Sequence, residues 1–265
     1  MLRIRPIPAF EDNYIWLLQG DGGDAVAVVD PGDEAPVLEL LEKERLQLAA
    51  ILATHRHGDH VGGVLALHHA YPEAAVFGPE GGHIAGVTRP VKDRETIELP
   101  GLGVRLQVWS TPGHTQEHLC YYLPEGHYGD GALFSGDTLF TCGCGRVFTG
   151  THEQLFDSLQ RIAGLPPATR IYCAHEYTLD NIGFAKWVEP ENEALLRREL
   201  DSAAARSRQQ PTVPATLALE LATNPFLRTG EASVIAAAEK WHGASLAHGR
   251  EVFRALRTWK DKEYD

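Results

Sequence analysis

Cysteine is scarce in this 265-residue chain: there are four, too few and too poorly placed for a disulfide framework. Cys142 and Cys144 stand too close in sequence for an ordinary stapling bridge, while Cys120 and Cys173 sit in apolar, strand-like runs and read as buried thiols. A Cys-x-Cys metal site is the sharper reading of the first pair, but no second cysteine pair accompanies it. Basic residues are also in deficit, 24 Lys and Arg against 36 Asp and Glu, for a net charge of -12. That balance removes the extended cationic field which a nucleic acid or an acidic membrane surface requires. No run is apolar enough to span a bilayer, and residues 1–8 lack the apolar core and cleavage site of a secretory signal. The expectation is a soluble, cytoplasmic monomer with no nucleic-acid or membrane partner. There is no Gly-x-Ser-x-Gly elbow to supply a serine nucleophile, no fixed-period repeat and no low-complexity tract.

Histidine, by contrast, is plentiful at thirteen, and unevenly spread. His55, His57, Asp59 and His60 fall within six residues, a density of imidazole and carboxylate that has little structural use and reads as metal ligation. His55 and His57 can reach one ion while Asp59 and His60 turn toward a second, so the spacing alone hints at two metals. Three more candidates follow apolar runs: His114 after 109–113, Asp137 after Leu133-Phe134-Ser135-Gly136, and His175 after Ile171-Tyr172-Cys173-Ala174. In a layered α/β domain, strand ends on one sheet edge floor a cleft, so such residues are expected to converge. Pro112-Gly113 and Gly136 permit the sharp turns that aim them. His118 reads as a hydrogen-bonding neighbour of such a site. His68 and His69 fall on a predicted helix, and His83, His127, His152, His242 and His248 stand without such company, so surface or packing roles suit them.

Short β-rich runs alternate with Gly, Pro and Asp turns from residue 2 to about 175, which is α/β patterning. Strands are predicted at 4–7, 14–18, 25–29, 50–53, 75–77, 104–109, 119–123, 133–135 and 171–173, and helices at 35–45, 61–70 and 153–163. After about residue 177, Ala/Leu/Glu/Arg-rich segments near 191–209, 214–222, 231–241 and 246–260 predict four consecutive helices in a small appended region.

The run His55-x-His57-x-Asp59-His60, followed in order by His114, Asp137 and His175, resembles the metallo-β-lactamase superfamily, whose fold is an αββα sandwich. Within it the chain is similar to glyoxalase II, the hydroxyacylglutathione hydrolases, along essentially its whole length. The likeness includes Asp30-Pro31-Gly32, Thr111-Pro112-Gly113-His114-Thr115, Phe134-Ser135-Gly136-Asp137-Thr138-Leu139-Phe140 and Tyr172-Cys173-Ala174-His175-Glu176-Tyr177-Thr178. Cys142-Gly143-Cys144-Gly145-Arg146, Asn224-Pro225-Phe226 and Arg257-x-x-Lys260-Asp261 look like that family's glutathione-binding parts.

The resemblance implies a catalytic domain over 1–177 and an α-helical glutathione-binding domain over 178–265. It implies two divalent metal ions, zinc foremost with iron or manganese as alternatives. His55, His57 and His114 would hold one, Asp59, His60 and His175 the other, and Asp137 would bridge both. The implied reaction is hydrolysis of S-D-lactoylglutathione to D-lactate and glutathione, the second step of methylglyoxal detoxification. Asp59 is expected to double as ligand and orienter of the attacking hydroxide, and Arg146, Phe148, Tyr177, Arg257 and Lys260 to hold glutathione. On spacing alone Arg257 and Lys260 read as a solvated helix face; the resemblance turns them toward substrate.

Two departures accompany the likeness. Where the family commonly has Lys-x-Tyr, this chain has Arg146-Val147-Phe148, which keeps the charge and loses one hydroxyl; Glu117 replaces the usual small residue before His118. Asp137 stands where the β-lactamases typically carry a cysteine ligand, and those enzymes lack the helical tail. A persulfide dioxygenase with mononuclear iron and a lactonase are the competing enzymes on this fold. A non-catalytic binding module would show lost ligands, and a tRNA-processing nuclease fits the acidic charge poorly.

Overall fold

The computed structural model describes residues 2–126 and 129–264, so that His127 lies outside the described residues. The first ten strands are β1 (Arg3–Ala9), β2 (Asn13–Gln19), β3 (Ala25–Val29), β4 (Gln47–Leu52), β5 (Ala75–Pro79), β6 (Arg89–Val91), β7 (Thr96–Leu99), β8 (Val104–Ser110), β9 (Leu119–Leu123) and β10 (Ala132–Gly136). Among the described residues four more follow, β11 (Leu139–Phe140), β12 (Gly143–Cys144), β13 (Arg170–Cys173) and β14 (Ala215–Thr216). The helices are α1 (Ala35–Glu44), α2 (Gly58–Val61), α3 (Val64–Ala70), α4 (His152–Ala163), α5 (Thr178–Val188), α6 (Glu193–Ser207), α7 (Leu217–Thr223), α8 (Ala232–His242) and α9 (Gly249–Glu263). Two compact units are present: the first is the chain up to Ser110 with Glu117–Gly136 and Tyr172–His175, the second Thr111–Gln116, Asp137–Ile171 and the chain from Glu176 onward.

In the first unit, β1 to β6 pair in sequence order, antiparallel through β3 and parallel from β3 to β6. β3, β4 and β5 are near-continuous apolar runs, as strands covered on both faces must be. β2 makes the layering explicit, because every residue from Asn13 to Leu18 is buried. Its Ile15 and Leu17 join an apolar cluster with Val37 and Leu41 of α1 and Val64 and Leu67 of α3. Trp16, on the opposite face, meets Tyr172 edge-on at 4.9 Å and donates to the Cys173 carbonyl at 2.9 Å. A second sheet in the order β10-β9-β8-β7, adjoined by the Tyr172-Cys173 half of β13, thus lies against the first. Tyr121 Oη and the Leu119 amide tie the sheets by donating to the Ala53 and Thr54 carbonyls, each at 2.9 Å. The helix expected at 61–70 is broken into α2 and α3 at Gly62-Gly63, where a Cβ on either glycine would lie 2.5 Å from the backbone of Gly32 or Glu34.

The second unit carries the two-residue hairpin β11–β12, with Cys142 at φ 61 in its turn, and the helices α4 to α9. The four tail helices expected from the sequence are α6 to α9; α5 precedes them. Phe226, Phe253, Trp259 and Tyr264 gather around and beside Phe184, with ring centroids 5.6–5.9 Å apart. On α9 one face, Val252, Phe253, Leu256, Arg257 and Lys260, is buried. Among the described residues no helix is long and apolar enough to cross a membrane.

Candidate metal centre

The first unit brings five predicted ligands onto strand ends and the turn after β4. Asp30, at the end of β3, accepts from the Thr54 amide at 2.7 Å and the Thr54 hydroxyl at 2.8 Å, and its Oδ2 lies 3.0 Å from His60 Nδ1. An ionised carboxylate only accepts, so His60 carries a proton on Nδ1. The Thr54 hydroxyl proton is committed to Asp30, so Thr54 Oγ1 accepts from His55 Nδ1, 3.1 Å away. His55 therefore presents Nε2, which lies 3.0 Å from His57 Nδ1. His175 repeats the pattern: its Nδ1 is 2.8 Å from Asp12 Oδ1.

With each Nδ1 held, the Nε2 atoms of His60 and His175 face one oxygen, Asp59 Oδ2, at 3.3 and 3.4 Å. Asn13 donates to the same oxygen at 3.2 Å. Burial works to raise the Asp59 carboxyl, but its contacts with His175, His60 and Asn13 prevail and hold it well below the usual carboxylate range. One ligand atom from each of Asp59, His60 and His175 lies within 4.8 Å of the others. An anionic oxygen and two imidazole nitrogens converging in this way need positive charge between them. Protons on the rings can supply it, and so can a divalent ion, which is why uptake at such sites releases protons. The donors fit the metal.

His118, fully buried, stacks on the His55 ring at 4.8 Å. Glu117 bonds to the Arg56 amide at 3.4 Å. Gly136, at φ 47, has no room for a side chain: a Cβ there would lie 2.5 Å from Thr54 Oγ1 and 2.8 Å from His118 Nε2.

The second unit brings His114 and Asp137 together, both buried. His114 Nδ1 is 2.7 Å from the Arg146 carbonyl oxygen, which can only accept, so the proton again sits on Nδ1 and Nε2 turns to Asp137 Oδ2 at 3.4 Å. Gly113, at φ 148, runs against α4 so closely that a Cβ would lie 2.4 Å from Leu155 Cα. Phe148 is 59% exposed and sets its ring edge-on to His114 at 5.2 Å.

The same unit holds the remaining substrate candidates. Arg146 is half-exposed, with Nε 3.2 Å from Asp261 Oδ1. Arg257 is only 1% exposed: it donates to the Cys144 carbonyl at 3.0 Å, reaches Asp261 at 2.9 Å and lies over the Phe226 ring. Lys260, also buried, is 3.7 Å from Asp180 Oδ2. The solvated-face reading of these two is thereby corrected, because α9 turns both into the unit. Tyr177 caps α5 and meets Phe140 edge-on at 5.3 Å. Cys142 and Cys144 are buried free thiols, pushed up by that burial to about 12 and about 11.

Four residues that hydrogen-bond to the candidate ligands or to their partners are assigned no role by composition and spacing: Asp12, Asn13, Asp30 and Thr54. Asp30 obeys the strand-end rule that found His114 and His175, since it directly follows β3. Asp12 and Asn13 sit in the β1–β2 turn, where such residues are ordinary turn formers. His69, His83, His242 and His248 are exposed, and His68 and His152 half-buried, as expected of ordinary histidines.

Residues 9–175 match the family model described as the metallo-β-lactamase superfamily, and residues 176–263 the model described as the hydroxyacylglutathione hydrolase C-terminus. A protein named hydroxyacylglutathione hydrolase from Alkalilimnicola ehrlichii is 50% identical over 99% of this chain and 100% of its own length. ETHE1 from Myxococcus xanthus shares the fold with a TM-score of 0.67 at 21% identity, covering 100% of this chain and 93% of the other. A protein crystallised in a di-iron-bound form aligns with a TM-score of 0.57 at 28% identity, covering 85% of this chain and 100% of its own. The chain therefore belongs to the hydroxyacylglutathione hydrolases of the metallo-β-lactamase superfamily.

Proposed function

We propose that this protein is a metal-dependent thioester hydrolase that converts S-D-lactoylglutathione and water to D-lactate and glutathione. The observation that carries it is kinship along the whole chain, tail included, with a relative named hydroxyacylglutathione hydrolase. His55, His57 and His114 are assigned to one divalent ion, Asp59, His60 and His175 to a second, and Asp137 to both. Bound there, the ions would lower the pKa of a water from about 15.7 toward about 7 and polarise the acyl carbonyl.

The protein's own groups supply position and charge. Asp12 and Asp30 fix the imidazoles of His175 and His60, and the Arg146 carbonyl fixes His114. Asp59, anionic and 42% exposed at its side chain, orients the attacking water. An Asp59→Asn protein that keeps both metals and near-normal turnover would exclude that role. The leaving thiol has an ordinary pKa of about 8.5, so it departs as thiolate without a general acid.

Glutathione carries two carboxylates and an ammonium, which calls for a local cationic hold on an acidic protein. Arg146, Phe148, Tyr177, Arg257 and Lys260 are proposed to form it: Arg257 and Lys260 from a glutathione-binding region 178–265, and Arg146, Phe148 and Tyr177 from the catalytic region 1–177 that precedes it. A His/Asp donor set suits zinc, iron and manganese; we propose zinc, to be decided by metal analysis of protein purified without added metal. Four buried thiols, none in a disulfide, suit a reducing compartment, and we place the protein in the cytoplasm, as a monomer. The test is thiol release from S-D-lactoylglutathione, with metal-stripped protein as control. Absence of metal-dependent release overturns the proposal.

A further inference from the structure

The tail helix α7 carries a carboxylate with no place in the hydrolysis described above. Glu220 is fully buried, and its Oε2 accepts from the Cys142 amide at 2.8 Å and from Asn224 Nδ2 at 3.0 Å. Asn224 Nδ2 also donates to the Gly143 carbonyl at 2.9 Å. Arg198 of α6, itself buried, pairs with Glu220 Oε1 and bonds to Thr223 Oγ1. The Cys142 amide and the Gly143 carbonyl of the β11–β12 turn are thus gripped from the tail at a point where Cys142 adopts a left-handed φ of 61.

That turn leads straight to the ligand pair. Gly145 packs so tightly that a Cβ would lie 2.0 Å from the Asp137 carbonyl oxygen and 3.0 Å from His114 Nδ1, and the next residue, Arg146, supplies the carbonyl that holds His114. A buried ion pair is a costly way to stabilise a helical appendage, since apolar groups of equal volume commonly do as well. A hydrogen-bonded anion aimed at a strained turn does what an apolar group cannot. We propose that Glu220 is a positioning residue for the metal centre: through Cys142 and Asn224 it fixes the 142–146 segment, and through the Arg146 carbonyl it sets the orientation of His114. The tail is then a structural part of the ligand set as well as a substrate-binding region. This inference rests on the assignment of His114 and Asp137 as ligands.

Two double variants isolate the interaction. Arg198→Met/Glu220→Gln removes the ion pair and keeps an acceptor for the Cys142 amide; Arg198→Met/Glu220→Met removes both. Zinc affinity is measured by competition with a chromophoric chelator, with no substrate present, so that failure of the thioesterase reading leaves the result interpretable. The Met/Met protein should bind its weaker zinc about tenfold less tightly than the Met/Gln protein, the lower end of what outer hydrogen-bond partners of metal ligands contribute. Asn224→Ala, which leaves the ion pair in place, should weaken zinc in the same direction and serves alone if the Met/Met protein does not fold. Equal zinc affinity in Met/Met and Met/Gln proteins of equal helicity, or wild-type affinity in a folded Asn224→Ala protein, overturns the proposal.

Discussion

Asp12 and Asp30 act on the metal centre without being among its proposed ligands. Each receives the Nδ1 proton of a histidine, and so each decides which nitrogen is left to face Asp59. Asp12 is the cleaner probe, because its side chain is 38% exposed and its loss leaves no buried charge. Asp12→Ala should weaken zinc roughly 10–100-fold by chelator competition while the metal-free protein melts near the wild-type temperature; unchanged affinity would show that His175 needs no partner. The arginines divide on similar grounds. Arg146 is half-exposed, so Arg146→Ala should raise KM with little change in kcat, as loss of uniform binding does. Arg257 is buried between the Cys144 carbonyl and Asp261. Its truncation opens a cavity and removes the donor to the Cys144 carbonyl, so Arg257→Ala should lower stability by roughly 3 kcal/mol in urea melts, besides raising KM. Equal stability of the two variants would return Arg257 to a purely substrate-binding role.

The His114 turn depends on an element rather than on its own sequence. α4 begins at a capping box, with the Thr151 hydroxyl accepting from Gln154 N and the Gln154 side chain from Thr151 N. The helix then presents Leu155 Cα against Gly113 and donates from Ser158 Oγ to the Pro112 carbonyl at 2.8 Å. Gly113→Ala would place a Cβ 2.4 Å from Leu155 Cα at a φ that L side chains rarely adopt. It should cost roughly 1–3 kcal/mol in urea unfolding and weaken zinc as well, because α4 and the turn cannot both keep their places; wild-type values for both would mean that the loop yields freely. Packing of this kind explains what was legible in the sequence. His55, His114, Asp137 and His175 could be found because polarity following an apolar strand is a local pattern. Asp30 obeyed that pattern and lacked only a partner, which stands thirty residues away at His60. α5 was not anticipated because Ile182, Phe184, Ala185 and Val188 are buried along with Thr178 and Asn181, leaving no clean polar stripe. Its Gly183 reads as a breaker, yet is needed where Tyr264 Oη approaches. β6 and β7, of three and four residues, are too short for alternation to register.

At the scale of the whole molecule, net charge and local charge oppose each other. The chain carries 36 acidic and 24 basic side chains, and the proposed glutathione hold is itself countered by Asp261 beside Arg146 and Arg257 and by Asp180 near Lys260. The substrate, with two carboxylates and one ammonium, is an anion approaching a protein of charge -12. Diffuse repulsion acts over the Debye length, about 30 Å at 0.01 M salt and about 8 Å at 0.15 M, whereas contacts of hydrogen-bond length are screened far less. Raising salt across that range therefore removes repulsion from the approach before it weakens the hold. The expected result is a rise in kcat/KM for S-D-lactoylglutathione, of the order of twofold, between about 0.01 and 0.15 M monovalent salt, with kcat nearly constant because the bound complex is already past the repulsion. Arg146→Ala should keep the same slope at a lower level, since it alters the hold and not the field. A steady fall in kcat/KM over that range would mean that the local cations govern the encounter and that the acidic surface is electrostatically silent toward substrate.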